Sequence, residues 1–372
     1  MLRELRLAFR ALRKQPGFTT IAVVTIALGV GANSAIFTVV DAVMLRPLPF
    51  HDAGRVVVIN ERTPNFPTLS LSAENYRDVC REATTLGACG AFRNFTANMS
   101  GGSEPERVPA KMLSANMLAL LGVAPVVGRG FTADDDRAGG PPVAMLGYGL
   151  WQSRFGGRPS VLDERILLDG TPYSIVGVLP PSFRLVQKSE VYLPIAPFIA
   201  AQPADRGWHP GILPVARLKD GISLDEARTE IARIAERLEK AYPETNTRVT
   251  MTVTPARDLM IQGVRTALLV LLGAVAGVLL IACINVAGLL LARGLTRRRD
   301  VAVRIALGAS RGRIVLHLLA ESVLISIVGG AGGLLLAAFS VALLLSLVGP
   351  TLPRADTVVP RGTGSAAPSP EL

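Results

Sequence analysis

Few residues in this 372-residue chain have the types and spacing of a catalytic site. The sequence Gly308-Ala-Ser310-Arg-Gly312 matches the G-x-S-x-G pattern, in which a serine acts as a hydrolase nucleophile. That chemistry needs a strand before the serine, a helix after it, and Asp and His partners in the fold. Here the pattern lies in a basic loop between two apolar segments, and His317 is the only later histidine. We therefore exclude a hydrolase.

The sequence also predicts no metal or nucleotide site. The histidines His51, His209 and His317 fall in different regions, so they do not form a ligand set. Asp134-Asp135-Asp136 lacks the alternating ligands and the terminal Glu of a calcium loop, and we expect a solvated loop there. Gly29-Val-Gly31 lies inside an apolar segment, and no G-x-x-x-x-G-K-[ST] motif occurs. We expect no cofactor and no enzymatic activity of the chain itself.

Three long apolar segments dominate the rest of the chain, at residues 17–45, 266–292 and 314–348. Each exceeds the ~20 residues that a helix needs to cross the hydrocarbon core of a bilayer. The first segment follows a basic amino terminus, as a signal peptide would. However, it is about twice the length of a signal-peptide core and has no clear cleavage site. The sequence thus predicts a membrane protein with three α-helical transmembrane spans, the first of them retained.

The basic residues indicate how these spans are oriented. Residues 1–16 carry five basic and one acidic residue, and the loop 293–313 carries seven and one. The region 46–265 is nearly balanced, with 25 basic and 23 acidic residues. Because Lys and Arg in short loops stay in the cytoplasm, both basic segments should lie inside and the region 46–265 outside. This juxtamembrane placement excludes a nucleic-acid interface, and the apolar spacing within 1–16 predicts an amphipathic helix on the membrane surface.

The region 46–265 alternates strand-like and helix-like segments, which predicts an α+β domain. Cys80 and Cys89 share this region, where oxidation is permitted, and the sequence leaves open whether they pair. The clearest local signals are a strand at 55–60, a helix at 72–82, a hairpin at 165–178 turning at Asp169-Gly170, a capping box at Ser223–Glu226 before an apolar helical face, and a strand at 249–253.

The spans contain too few polar residues to form a channel. Asn33 and Asn285 lie at depths that differ by roughly 10–15 Å, so we expect no shared site. Glycine pairs at 273–277 and 329–333 are instead typical of close helix packing.

Motifs spread over residues 1–355 form a specific combination. They are Pro16-Gly-Phe-Thr19, Leu28-Gly-Val-Gly-Ala-Asn33, Leu45-Arg-Pro-Leu-Pro-Phe50, Gly128-Arg-Gly-Phe131, Leu150-Trp-Gln-Ser-Arg-Phe-Gly-Gly157, Val176-Gly-Val-Leu-Pro180, Ala216-Arg-Leu-Lys-Asp-Gly221, and above all Leu280 to Arg293 with Arg299 to Arg311. Together they resemble the MacB/FtsX-like permeases of ABC transporters, and most of all the branch called duplicated orphan permeases. Asp300 stands where that family usually has Glu, which keeps the charge.

The resemblance implies a MacB-like periplasmic core domain between the first two spans, with porter-like parts at about 53–115 and 212–260 and a Sabre-like insertion at 116–211. It also implies an FtsX-like permease domain in a bacterial cytoplasmic membrane, a second permease copy in a homodimer or heterodimer, and a separate ABC ATPase. The loop 293–313 would contact this ATPase and relay ATP-driven movement to the external domain, in an efflux-like function. The implied coupling residues are Arg297, Arg299, Asp300, Val301, Arg304, Ile305, Gly308, Ser310 and Arg311.

Two further expectations complete this interpretation. A membrane-anchored sensor or scaffold without ATPase coupling is the alternative function. Family members have a fourth span, whereas residues 349–372 form a Gly/Ser/Pro/Ala-rich tail without an apolar run. From this we expect an external, disordered tail on a truncated copy, which leaves the glycine-rich face of the third span without its neighbour.

Overall fold

The computed structural model describes residues 9–10, 12–45, 50–100, 105–185, 188–296 and 311–348. The chain divides into two compact units. One, the helical unit, comprises residues 1–46 and 261–372, and the other, the sheet domain, comprises residues 47–260.

The helical unit contains three long apolar helices. Helix α1 spans Pro16–Val40 and continues into a π-helical turn, Asp41–Leu45. Helix α8 spans Ala256–Thr296, beginning at the end of the sheet domain, and α9 spans Arg311–Val348. Stretches within them at Pro16–Leu45, Val264–Ala292 and Leu319–Leu343 are long and apolar enough to cross a membrane. The expected amphipathic helix at 1–16 lies largely outside the described residues, and the tail 349–372 lies wholly outside them.

The sheet domain is built on one ten-stranded mixed sheet. The strand order is β10-β1-β9-β2-β3-β8-β5-β7-β4, and β6 pairs with β2 and β7. The strands are β1 Val56–Arg62, β2 Leu86–Ser100, β3 Glu106–Leu113, β4 Val127–Gly128, β5 Val143–Leu146, β6 Arg165–Leu168, β7 Thr171–Val178, β8 Val191–Pro194, β9 Leu213–Leu218 and β10 Thr250–Pro255. The helices are α2 Ala73–Glu82, α3 Met117–Leu121, α4 Tyr148–Phe155, α5 Ala196–Ala200, α6 Leu224–Ala241 and α7 Pro243–Asn246.

Strand β2 makes the sheet continuous, because it pairs with a different strand along each half of its length. Its first half, Leu86 to Phe92, pairs with β9, and its second half, Phe92 to Met99, pairs with β3. Strand β3 then pairs with β8 in parallel, which adds the strands of the 116–211 range to the same sheet. Apolar residues of β1, β9 and β10 pack under α2 and α6 to form one core cluster, and three further clusters fill the rest of the domain.

The structure confirms the predictions that rest on local turn and capping signals. The hairpin β6–β7 turns at Asp169 and Gly170, whose φ angles are +47° and +81°, as a primed turn requires. Ser223 and Glu226 form the predicted capping box at the start of α6. The predicted apolar face of α6 is buried at Ala227, Ile231, Ile234, Ala235 and Leu238.

Candidate functional site

The implied coupling residues from Arg297 to Ser310 lie outside the described residues, so the structure gives no geometry for them. Helix α8 ends at Thr296, and α9 begins at Arg311, the last residue of the set. The structure therefore describes the helices that flank this loop, α8 before it and α9 after it.

Helices α1 and α9 pack closely through glycines. A Cβ atom placed on Gly333 would lie 2.8 Å from Val30 Cβ, and one on Gly329 would lie 2.8 Å from Ile26 Cβ. Both distances are well below the ~3.5 Å of ordinary carbon contacts, so the two backbones approach too closely for any side chain there. The expectation that the glycine face of the third span lacks a neighbour is therefore wrong, because α1 covers it.

Helix α8 also contacts α1, through one close backbone approach and one partly buried hydrogen bond. A Cβ on Gly29 would lie 3.3 Å from Ala282 Cβ. The side-chain amide of Asn33 donates to the carbonyl of Val275 at 2.8 Å and to that of Gly29 at 2.9 Å. A polar side chain inside an apolar bundle thus finds its partner on a backbone, and such bonds contribute roughly 0.6–2 kcal/mol in membranes.

Not every predicted glycine contact forms within this chain. Within the described part of the helical unit, no atom lies within 4 Å of a Cβ built on Gly273 or Gly277. The expected close packing at 273–277 is therefore not found among the described residues. The face of α8 used for packing is instead the one that carries Val275 and Ala282.

In the sheet domain, the acidic run 134–136 is not the solvated loop that its composition predicts. Asp135 is only 3% exposed and accepts hydrogen bonds from Arg129 and Thr132. Asp136 accepts the backbone N–H of Ala115 at 2.8 Å and that of Ala196 at 2.6 Å. Only Asp134 is solvated, because Asp135 is bonded within its own turn and Asp136 ties the run to the segments that begin at Ala115 and Ala196. Across the described ranges, no three His, Cys, Asp or Glu residues cluster in a way that could hold a metal.

A disulfide and a hydrogen-bonded carboxylate connect helices of the sheet domain to β2 and to the turn that precedes it. A disulfide joins Cys80 of α2 to Cys89 of β2, a pairing that the sequence left open. Glu230 of α6 accepts the backbone N–H and hydroxyl of Thr84 at 2.8 and 2.6 Å, and both donors of Thr85. Burial by itself raises the pKa of Glu230, but these hydrogen bonds outweigh it and lower the pKa to about 2.

Lys111 of β3 is a buried charge that sequence reasoning missed, because it occupies a position in a strand without any motif. Its side chain is 1% exposed, and Nζ donates to Ser189 Oγ at 3.0 Å. Burial lowers the pKa of Lys111 to about 8. This contact links β3 to the segment that leads into β8.

Comparison with known proteins assigns these features to a family. A family model described as the MacB-like periplasmic core domain matches residues 19–234, more than half of the chain, and one described as the FtsX-like permease C-terminal matches residues 272–360. The chain belongs to the MacB/FtsX-like family of ABC transporter permeases. It is a membrane protein with an extracytoplasmic domain, as the sequence predicts.

Curated relatives of this permease are longer than the chain. It is 29% identical to the pyoverdine export ATP-binding/permease protein PvdT of Pseudomonas syringae pv. tomato, over 60% of this chain and 34% of PvdT. It is 30% identical to the macrolide export ATP-binding/permease protein MacB of Rhodospirillum rubrum, over 55% of this chain and 31% of MacB. The match to the ABC transporter permease YknZ of Bacillus subtilis is 27% identical and covers 56% of this chain and 50% of YknZ. The chain thus spans about a third of the length of the first two relatives.

Solved structures similar to the permease include the periplasmic region of MacB from Actinobacillus actinomycetemcomitans, at 12% identity and a TM-score of 0.44. That match covers 57% of this chain and 94% of the MacB region. The extracellular domain of YknZ from Gram-positive bacteria is 14% identical, with a TM-score of 0.41, over 53% of this chain and 99% of that domain.

Proposed function

We propose that this permease is the membrane subunit of an ABC-type exporter, and that a separate ATPase bound at the loop 293–313 drives movement of the sheet domain. The amino terminus and this loop lie in the cytoplasm in this proposal, and the sheet domain lies outside, in accordance with the distribution of Arg and Lys. A second permease copy, identical or related, completes the assembly. The names of PvdT and MacB give two different exported compounds, so we propose export without naming a substrate.

The observation that carries this proposal is the glycine packing of α1 on α9. Helix α9 begins at Arg311, in the last part of the loop 293–313, and α1 leads along the chain into the sheet domain. Gly329 and Gly333 leave no space between the two backbones, so a shift of α9 cannot be absorbed by side-chain rearrangement. The hydrogen bond from Asn33 to Val275 links α8 to the same pair. An ATPase that displaces the loop would therefore move α1 as well.

The experiment is co-purification of the full chain with its cognate ATPase. If the loop is helical, Val301, Ile305 and Gly308 share one face, and Ile305→Glu places a charge in its centre. We expect a several-fold loss of bound ATPase. Val303→Glu places the same charge on the opposite face and is the matched control.

Tryptophan emission monitors folding in this experiment, because Trp151 and Trp208 both lie in the sheet domain. Equal ATPase recovery with the wild type and Ile305→Glu would contradict coupling through this face. That result would favour a membrane-anchored sensor or scaffold instead.

A further inference from the structure

The segment 202–211 connects α5 to β9 and contacts α2 and the end of β1. Polar contacts hold it there at several points. Arg206 donates to Asn75 at 2.6 Å and to Asp78 at 2.7 Å, and the guanidinium lies 3.8 Å from the ring centroid of Tyr242. Near its other end, the carbonyl of Pro210 accepts from Arg93, and the N–H of Gly211 donates to Ser70. These contacts involve arginine, a carboxylate and neutral groups, and one further contact involves a histidine.

This histidine is His209, whose two ring nitrogens both face acceptors. Nδ1 lies 2.9 Å from the carbonyl oxygen of Gly207, and Nε2 lies 2.6 Å from Glu61 Oε2. A carbonyl oxygen can only accept, so the contact with Gly207 is a hydrogen bond when Nδ1 carries a proton. The other oxygen of Glu61 already accepts from the side-chain amide of Asn75 at 2.8 Å.

A neutral imidazole has one N–H, and it is used on Gly207. The 2.6 Å contact with Glu61 Oε2 is then a hydrogen bond only when a second proton lies on Nε2. Without that proton, a lone pair of Nε2 would face a carboxylate that is 0% exposed and has no access to water. Both ring contacts are therefore hydrogen bonds at the same time only when this second proton is bound.

We propose that His209 and Glu61 form a proton-binding site that fastens the segment 202–211 to β1 and releases it when the proton leaves at rising pH. This contact between His209 and Glu61, here called the clasp, holds the end of the 116–211 range against β1, the strand that pairs with β9. Loss of the proton would expose the ten residues of this segment to solvent. This inference does not rest on the proposed transport function.

The charges around the ring favour proton uptake. Glu61 faces it from β1, and Asp205 from its own segment. Asp78 of α2 is already neutralised by ion pairs with Arg206 and Arg81. The hydrogen bond to Glu61 is the main cause that raises the pKa of His209 above its ordinary value of 6.5, and burial opposes it. Because the folded-state pKa is raised, the stabilisation is complete below pH ~6.5 and is lost as the pH rises through the raised value.

Hydrogen exchange of the full chain in detergent, from pH 5.5 to 9, tests the proposal. Protection factors for peptides covering 202–211 are corrected for the intrinsic rate at each pH. We expect protection to fall by about tenfold per pH unit between pH ~6.5 and the raised pKa of His209, where only the closed form holds the proton, and to level off at higher pH. His51→Gln is the matched control, because the side chain of His51 is 75% exposed, and it should reproduce the wild-type profile.

Glu61→Gln provides the sharper variant. Its amide can donate to Nε2 of a neutral ring, while its carbonyl oxygen still accepts from Asn75, so the clasp closes without the extra proton. Protection of 202–211 should then be independent of pH and remain near the value that the wild type shows at acidic pH. If this variant does not fold, His209→Gln should show lower protection without the slope. A flat wild-type profile, or an unchanged slope in either variant, would overturn the proposal.

Discussion

Glu230 offers a quantitative test of how the sheet domain is held together. Its carboxylate accepts four hydrogen bonds from Thr84 and Thr85, which lie between α2 and β2. In Glu230→Gln, the remaining oxygen can serve the donors of only one threonine, and the new amide hydrogens face those of the other. Hydrogen bonds to a charged group contribute roughly 1.5–3 kcal/mol, and the side chain is partly exposed, so we expect a loss of about 2 kcal/mol in the free energy of unfolding.

The pH dependence of this loss follows from the lowered pKa of Glu230. Because the folded-state pKa is about 2 and the ordinary value is 4.5, the stabilisation is complete above pH ~5 and is lost as the pH falls towards 2. The difference between wild type and Glu230→Gln should therefore shrink to roughly half or less at pH 3.

Urea unfolding of the full chain, followed by tryptophan emission, measures this free energy for the sheet domain alone, because both tryptophans lie there. Glu236→Gln on the exposed face of the same helix is the control and should change stability by less than ~0.5 kcal/mol. Equal stability of the Glu230→Gln and Glu236→Gln variants at pH 7 would refute the reasoning, as would a difference that does not decline at low pH.

Three further predictions concern packing, pairing and orientation. Gly333→Ala should lower the SDS concentration at which the helical unit unfolds, by a cost of roughly 1–3 kcal/mol from overpacking against Val30, whereas Gly330→Ala, whose Cβ meets no described atom within 4 Å, should not. Alkylation of the unfolded chain without reductant should modify one thiol, that of Cys283, and three after reduction; three before reduction would contradict the Cys80–Cys89 disulfide. In a Cys283→Ser background, an impermeant external maleimide should label Ser160→Cys and spare Ser310→Cys, and labelling of the latter would reverse the orientation.

Local signals allowed several elements to be predicted from the sequence. The apolar helices follow from the length and composition of the apolar segments, the β6–β7 hairpin from Asp169-Gly170, and the start of α6 from its capping box. Each of these elements is specified by residues that are close together in the sequence, so it can be predicted without knowing the tertiary contacts.

The remaining features depend on contacts between distant residues. The amide of Asn33 meets a carbonyl 242 residues away, and His209 meets Glu61 148 residues away. Asp135 was expected in water because its neighbours are acidic, but its burial depends on Arg129 folding over it. No periodicity or motif specifies such partners, and the strand order of the sheet is hidden for the same reason.

Distance measurements on the complex with its ATPase test the central claim most directly. Spin labels at Ser160→Cys and Ala232→Cys, in a Cys283→Ser background, lie on exposed positions in different parts of the sheet domain. With the full chain and its ATPase in nanodiscs, the distance distribution between the labels should differ between the nucleotide-free state and ATP turnover. Ile305→Glu should abolish that difference. An unchanged distribution in all nucleotide states, with the ATPase bound and hydrolysing ATP, would contradict the account.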